Sequence, residues 1–302
     1  MIHKNLLLSV ALSLTTLPTS LFANTEESVL DEINQNFATT GSDVFRIDEK
    51  ALFAPSTESD SDMGEHLILS SIPNKGIFTV DWHNRFIHSD NVGNTNSQAV
   101  SGFIFNSNLR LNWNKLVGKN LFFDLDFVEN RFQFESENDF DFSSSRWGVG
   151  LTKIIEGPDI ALSANLFYHY ARRNFISDEI YGTSSGRVSI GRTFYLNPNN
   201  ISFIAAEADF ALTSTEQSVK KNSYSIRVGH TLRLHENTFL TGFTNYSMHD
   251  YTADDRSDKN LVTGLSLEHK MSDTWTAGAS FSYTNNDSSV NNLSYSSMLS
   301  SV

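Results

Sequence analysis

The chain has 302 residues, with 22 Lys or Arg against 35 Asp or Glu, a formal net charge of −13 and no cysteine. That acidity argues against nucleic acid as a partner, because phosphate binding requires a basic face, and the missing cysteines exclude a disulfide-framed extracellular scaffold. Only 39% of residues are hydrophobic, too few for a bundle of membrane-spanning helices but compatible with strands that show one face to lipid and the other to water.

Residues 1–23 read as a cleaved secretory signal: Lys4, an apolar run from Leu6 to Leu14, Pro18, and the small Ala23 before the cut. The run is shorter than the ~20 residues of a spanning helix, and no later stretch approaches that length. Residues 24–75 then form an acidic segment. Between Asn24 and His66, eleven Asp or Glu stand against only Arg46 and Lys50, so most of the net charge resides there. Val29, Leu30, Ile33 and Phe37 recur at helical spacing behind Glu26 and Glu27, which predicts one short amphipathic helix. The stretch "STESDSDMGE" has too little apolar surface to order itself and reads as linker.

From residue 76 to 302 the pattern becomes period two. In "FIFNSNLRLNW", Phe103, Phe105, Leu109, Leu111 and Trp113 share one parity while Asn106, Asn108, Arg110 and Asn112 share the other, as in an extended strand with two different faces. Twelve such segments fall near 77–88, 101–113, 121–134, 140–154, 160–173, 186–196, 201–212, 223–235, 239–250, 261–270, 275–284 and 293–302. Most exceed the five or six residues of an ordinary soluble strand and suit a tilted membrane strand of about nine to eleven. Connections after even strands are short ("NKLVGKN", "EGPD", "NPNN", "EN", "MSD"), whereas those after odd strands are mostly longer and more polar, as in "SDNVGNTNSQ", "ISDEIYGTSSG" and "YTADDRSDKN".

Parity assigns the faces. Val188, Ile190 and Phe194, then Ile204, Ala206, Ala208 and Phe210, then Tyr224, Ile226 and Val228 turn outward to lipid. The opposite parity carries Asp81, Arg85, Arg110, Asp124, Asp126, Arg146, Arg187, Glu207, Asp209, Arg227 and Arg233, which are candidate pore-lining charges. A dry core would make unpaired ions cost several kcal/mol each, whereas a wet lumen tolerates them. Opposed acidic and basic strips would orient a polar solute in such a lumen, and the alternative is that the charges pair across the barrel and plug it. Trp113, Phe194, Phe239 and Trp275 lie beside the short turns and are candidates for an aromatic membrane girdle. In the third strand the apolar positions change from Leu121, Phe123, Leu125 and Phe127 to Phe132 and Phe134, which points to a parity-reversing bulge.

By signal, strand count and loop asymmetry, residues 76–302 resemble a Gram-negative outer-membrane β-barrel, through architecture and without a family-specific motif. The fold this implies is all-β, a transmembrane antiparallel up-and-down barrel of about twelve strands behind a short N-terminal helix and linker. The resemblance also implies an N-terminus in the periplasm, outer-membrane lipid and lipopolysaccharide as surroundings, and the barrel-assembly machinery as a partner. It leaves 24–75 free to serve a periplasmic partner or to plug the lumen. No cofactor is expected. The chain ends in Val302, where members of this class usually end in an aromatic residue.

Twelve-stranded members of the class include narrow solute channels, autotransporter translocators and a phospholipase. The polar inward parity favours a porin-like passive channel for small polar solutes or ions, ahead of a translocation, assembly or interaction barrel. A lipid hydrolase comes third. It would rest on His88-Ser89-Asp90-Asn91, which resembles the phospholipase motif except that His and Ser are adjacent here, and neighbours on a strand project to opposite faces. No catalytic residue is assigned. The nine histidines show no metal-ligand spacing, so no structural metal is expected, and Asp254, Asp255 and Asp258 read as a solvated polar loop. Gly148 and Gly150 read as packing points.

Overall fold

The computed structural model describes residues 76–92, 101–135, 141–156, 160–173, 178–197, 199–253, 255–272, 275–290 and 293–302. The expected signal, helix and linker of 1–75 lie outside the described residues. Twelve strands follow in order: β1 (Ile77–Ser89), β2 (Gly102–Gly118), β3 (Leu121–Phe134), β4 (Phe142–Ile155), β5 (Ile160–Arg173), β6 (Asp178–Asn197), β7 (Asn200–Ser214), β8 (Lys221–His235), β9 (Thr238–Tyr251), β10 (Ser257–Lys270), β11 (Thr276–Ser288) and β12 (Tyr295–Ser301). Each pairs antiparallel with its chain neighbours, and β12 returns to β1, so the sheet is a closed barrel. Closure joins the two end strands of the sheet, which is what a sheet in lipid requires.

The ring closes at a short seam. Strand β12 pairs with β1 at Ile87, His88 and Ser89, reinforced by the reciprocal backbone bonds Phe86 N to Val302 O (3.0 Å) and Val302 N to Phe86 O (3.1 Å). The Asp90 carboxylate accepts a further bond from Met298 N at 2.7 Å.

Several strands are longer than their alternation predicts. Strand β2 continues through "NKLVG" to a bulge at Leu116/Gly118, which leaves Lys119 and Asn120 as the turn. Asn120 has φ 53°, a left-handed conformation that Asn tolerates better than most side chains. Its Nδ2 donates to Glu156 Oε1 at 2.6 Å across to the next short turn. That bond, with Lys119 nearby, holds the Glu156 carboxyl below the usual range. Strand β6 starts at Asp178 instead of near 186, so most of "ISDEIYGTSSG" is strand. Gly182, Thr183, Ser184 and Ser185 are small or polar on both faces and hide the alternation, but Gly182 to Ser185 stand in register with Tyr170 to Phe167 on β5.

No bulge reverses β3. Its register runs unbroken from Phe122 to Phe134 against β2 and from Leu121 to Phe132 against β4. The solvent changes instead of the parity. Below Phe127 the outward positions are apolar, whereas above it Glu129, Arg131 and Gln133 face out and Phe132 and Phe134 face in. With 14 residues, β3 is longer than the nine to eleven that lipid requires, and the excess protrudes beyond the lipid, where an ordinary water-facing pattern returns.

The exterior of the lower barrel is almost continuously apolar. Trp82, Leu109, Leu125, Trp147, Leu166, Ile190, Ile226, Leu265 and Phe281, drawn from strands all round the ring, are among the exposed large hydrophobic side chains. A soluble monomer rarely exposes an apolar patch beyond a few hundred Å². This band meets lipid.

Candidate functional site

The inward side chains of the lower barrel build a charged belt strand by strand. On β2, Arg110 Nε donates to Asp126 Oδ1 of β3 at 2.9 Å, and Arg146 Nη2 of β4 donates to the other oxygen, Oδ2, at 2.8 Å. Asp124, two residues away on the same face, accepts from Thr152 Oγ1 at 3.0 Å and from Asn114 Nδ2. Across β5, the Phe167 ring has the Arg146 guanidinium at 5.1 Å and the Arg187 guanidinium at 4.9 Å from its centroid. On β6, Arg187 donates to Asp209 Oδ2 through Nε (3.0 Å) and Nη2 (2.7 Å). Glu207 of β7 then lies 4.0 Å from both Arg187 and Arg227 of β8.

Gly148 is what lets Phe167 lie flat against this wall. It is the register partner of Phe167, and a Cβ there would stand 2.7 Å from the ring. Gly264 does the same for Phe243 on β9 and β10, where an added Cβ would also meet the Phe281 carbonyl at 2.7 Å. An inward ring beside a glycine covers the bare backbone and keeps the lumen wall smooth.

Of the other candidate pore charges, Asp81 stands in register with Arg110 and Arg85 with Asn106, both on the inward parity. Arg233 sits apart, exposed at the short-turn rim, where its Nε and Nη2 donate to the Glu236 carbonyl at 3.2 and 2.9 Å. The charges do not form opposed acidic and basic strips. Acids and bases stand on neighbouring strands in two groups, Arg110, Asp126 and Arg146 across β2 to β4 and Arg187, Glu207, Asp209 and Arg227 across β6 to β8, with Phe167 of β5 between them. On the facing wall, β9 to β12, the residues Thr241, Asn245, Ser266, Ser282, Thr284 and Ser297 are polar and uncharged, with the acids Glu268 and Asp258 of β10 on the same inward parity nearer the two ends. Side chains in the paired belt keep 11 to 33% of their surface exposed, so water reaches the belt.

Toward the long-loop end the interior changes character. Ile87, Ile104, Phe132, Phe134, Phe142, Ala171, Tyr181 and Leu299 all face inward from β12 and β1 to β6 and form one buried apolar cluster. Val219, in the 3-10 turn Gln217–Val219 between β7 and β8, folds in to join them. Phe132 and Phe142 stack with centroids 4.6 Å apart. On the remaining wall the same level is filled by buried polar groups. His249 Nδ1 lies 2.8 Å from Ser223 Oγ, and its Nε2 lies 3.3 Å from Ser247 Oγ. Asp258 accepts from Arg256 Nε at 3.0 Å and from Ser288 Oγ. Asp258, expected in a solvated loop, is therefore an inward residue of β10, while Asp254 lies outside the described residues.

This arrangement bears on catalysis. His88 and Ser89 take opposite faces: His88 points outward against the Phe103 ring (5.0 Å), and Ser89 points inward, 3.4 Å from Ser297 Oγ. A second grouping, invisible in the sequence because it spans three strands, sets Ser223, His249 and Asp258 in register. There Asp258 already holds Arg256 and Ser288, and His249 is 7% exposed. Both imidazole nitrogens of His249 lie beside serine hydroxyls, and Asp258 holds Arg256 and Ser288, which ties the group into the packing of the loop-end interior.

Outside, Trp113 packs edge-on against Phe123 at 5.9 Å, Phe194 lies under the Arg192 guanidinium at 4.7 Å, and Trp275 is 73% exposed at the β10–β11 turn. Phe239 falls on the inward parity instead, in register with Arg233 and Glu268. It stands near the start of β9, beside the β8–β9 turn, with Lys270 Nζ at 5.3 Å from its ring centroid. A second row of outward aromatic side chains, including Phe86, Phe103, Trp147, Tyr168, Tyr224 and Tyr246, marks the loop-side boundary, where outward residues turn polar.

No family model and no curated protein sequence matches the chain. Among solved structures, the barrel is similar to an outer-membrane channel from Pseudomonas putida F1, with 11% identity and TM-score 0.47 over 76% of this chain and 95% of that one. It is also similar to the translocator domain of the autotransporter NalP from Neisseria meningitidis (11%, TM-score 0.43, 78% and 90%) and to the NanC porin (12%, TM-score 0.40, 72% and 98%). Their diversity at this low identity says nothing of what this barrel carries.

Proposed function

We propose that the chain is an outer-membrane, porin-like passive channel for small polar solutes or ions, with its N-terminus and short turns in the periplasm. The observation that supports this most is the water-exposed belt of paired charges inside a ring whose outer surface is apolar. A barrel serving only as an anchor has no need of charges along its interior, and a hydrolase needs a nucleophile and base that face a substrate. The balance of acids and bases along β1 to β8 favours solutes carrying both charges, or small ions without strong preference of sign. The buried apolar cluster at the loop end acts as a constriction that resists wetting, so conduction requires the Val219 turn to swing away from it.

After reconstitution in a planar bilayer, the purified protein is expected to give discrete conductance steps with weak preference between cations and anions. A correctly folded barrel that stays silent across the voltage range overturns this reading.

A further inference from the structure

The seam leaves part of two strand edges uncovered. Strand β12, of 7 residues, meets β1 only at Ile87 to Ser89, with one further backbone pair between Phe86 and Val302. Below Phe86 no strand among the described residues pairs with this side of β1, although β2 pairs with the other side down to Ile77. The alternation of an antiparallel ladder fixes which groups are left. Phe86 bonds toward β12, so Phe78, Val80, Trp82 and Asn84 turn their N–H and C=O groups the same way. Across the gap, β12 reaches β11 only as far as Ser280. Residues 276–279 of β11 are exposed on both parities, whereas exposure alternates from Phe281 onward. Phe78 and Trp82 are 61 and 70% exposed, against 47 and 50% for Ile190 and Val188, which have strands on either side.

Unpaired backbone groups are costly in lipid, and an open edge accepts a strand. The strands on both sides of the gap run in the same direction, so its occupant must run antiparallel to β1. The residues that precede β1 meet this condition when they turn back on it as a hairpin. In "HLILSSIPNKGIFTVDW", Pro73, Asn74, Lys75 and Gly76 are turn residues between two largely apolar stretches. At about 3.3 Å per residue, 66–72 matches the height of β1 from Ile77 to His83. Leu67, Ile68, Leu69 and Ile72 suit a wall with lipid on its outer side.

We propose that residues 66–72 add to this edge as a strand, between the lower half of β1 and the foot of β11, and complete the wall there. The acids just upstream, Asp60, Asp62 and Glu65, then turn into the water-filled interior near the level of Arg85 and not into lipid. The inference rests on lipid lying outside the ring and is independent of conduction. Nitroxide pairs test it in the full-length chain reconstituted in lipid, with one label at Val80 and the other moved in turn from Leu67 to Ile72. Dipolar broadening should be strongest at the position opposite Val80 and fade on both sides of it. Amide exchange at Val80 and Trp82 should be slow in the parent and in a chain lacking 24–64. It should become fast in Leu69→Pro, because proline cannot donate to a ladder, with folding checked by heat-modifiable gel mobility. Absence of broadening at every position overturns the proposal, as does amide exchange that is equally slow in a folded Leu69→Pro barrel, where another strand or lipid would be the shield. Broadening that appears when singly labelled chains are mixed assigns the edge to a second copy and also overturns it. Conductance on the same preparations separates the two readings: a silent barrel with the broadening intact rejects the channel alone, and channel steps without broadening reject the added strand alone.

Discussion

Phe132→Ala is expected to raise single-channel conductance severalfold while lowering the stability of the barrel by about 3–5 kcal/mol, the usual cost of deleting a buried aromatic side chain. Phe132 is 0% exposed, faces inward and stacks on Phe142. Its loss opens the apolar cluster at the level where the interior is packed across. A cavity lined by the remaining apolar side chains lowers the steric barrier, and water that enters it removes the resistance to wetting. The hydrogen-bonded ring does not depend on this side chain, so the barrel should still close. Phe132→Leu, which keeps most of the volume, should leave conductance near the parent value. The comparison is made by bilayer recording on protein whose folding is verified by gel mobility. Unchanged conductance in a folded Phe132→Ala barrel would place the resistance elsewhere.

Asp126→Asn should produce the second large effect, a shift toward anion selectivity with a loss of roughly 2 kcal/mol in stability. The carboxylate receives both Arg110 and Arg146, so its neutralisation leaves two guanidinium groups on adjacent strands without their shared counter-charge. Charged hydrogen bonds of this kind contribute about 1.5–3 kcal/mol each, and Asn preserves part of the geometry. The added positive potential lies in the lumen and not on the outer wall, so it should appear in the reversal potential under a salt gradient. A double variant that also removes Arg110 should restore most of the parent selectivity, as coupled neighbours do. If Asp126→Asn leaves the reversal potential unchanged, ions do not pass this belt.

Much of this architecture is legible in the sequence. Period-two alternation gives strand count, order and parity, and Arg110, Asp126, Arg146, Arg187 and Asp209 share one parity across the paired strands. Parity alone cannot say which solvent each face meets at each height. At Phe127 and Phe132 the apolar residues change parity while the backbone register continues, and in one dimension that is indistinguishable from a bulge. The loop-end core was hidden for this reason. A different error arises at Phe239, which keeps the inward parity of Thr241 and Asn245 through an unbroken β9–β10 register, so that standing beside a short turn does not make it an outward girdle residue. Pairing between strands is also unreadable from one strand at a time: Arg110, Asp126 and Arg146 become neighbours only through the β2–β3–β4 register, so the choice between strips and paired charges is open until the strands are set side by side. Small residues conceal structure as well, since Gly182, Thr183, Ser184 and Ser185 look like loop and belong to β6.

The decisive measurement is a nitroxide scan along β6 and β7, made straightforward by the absence of native cysteine. Single cysteines at Val188, Ile190, Ile204 and Ala206, labelled in the barrel reconstituted in lipid, should relax with oxygen dissolved in the hydrocarbon. Labels at Ser189, Thr193 and Glu207 should relax with a water-soluble nickel chelate. The two sensitivities should alternate residue by residue, in opposite phase. Alternation of the reverse phase, or labels at both sets sheltered from oxygen in a protein that stays soluble without detergent, would contradict a ring with lipid outside and water within.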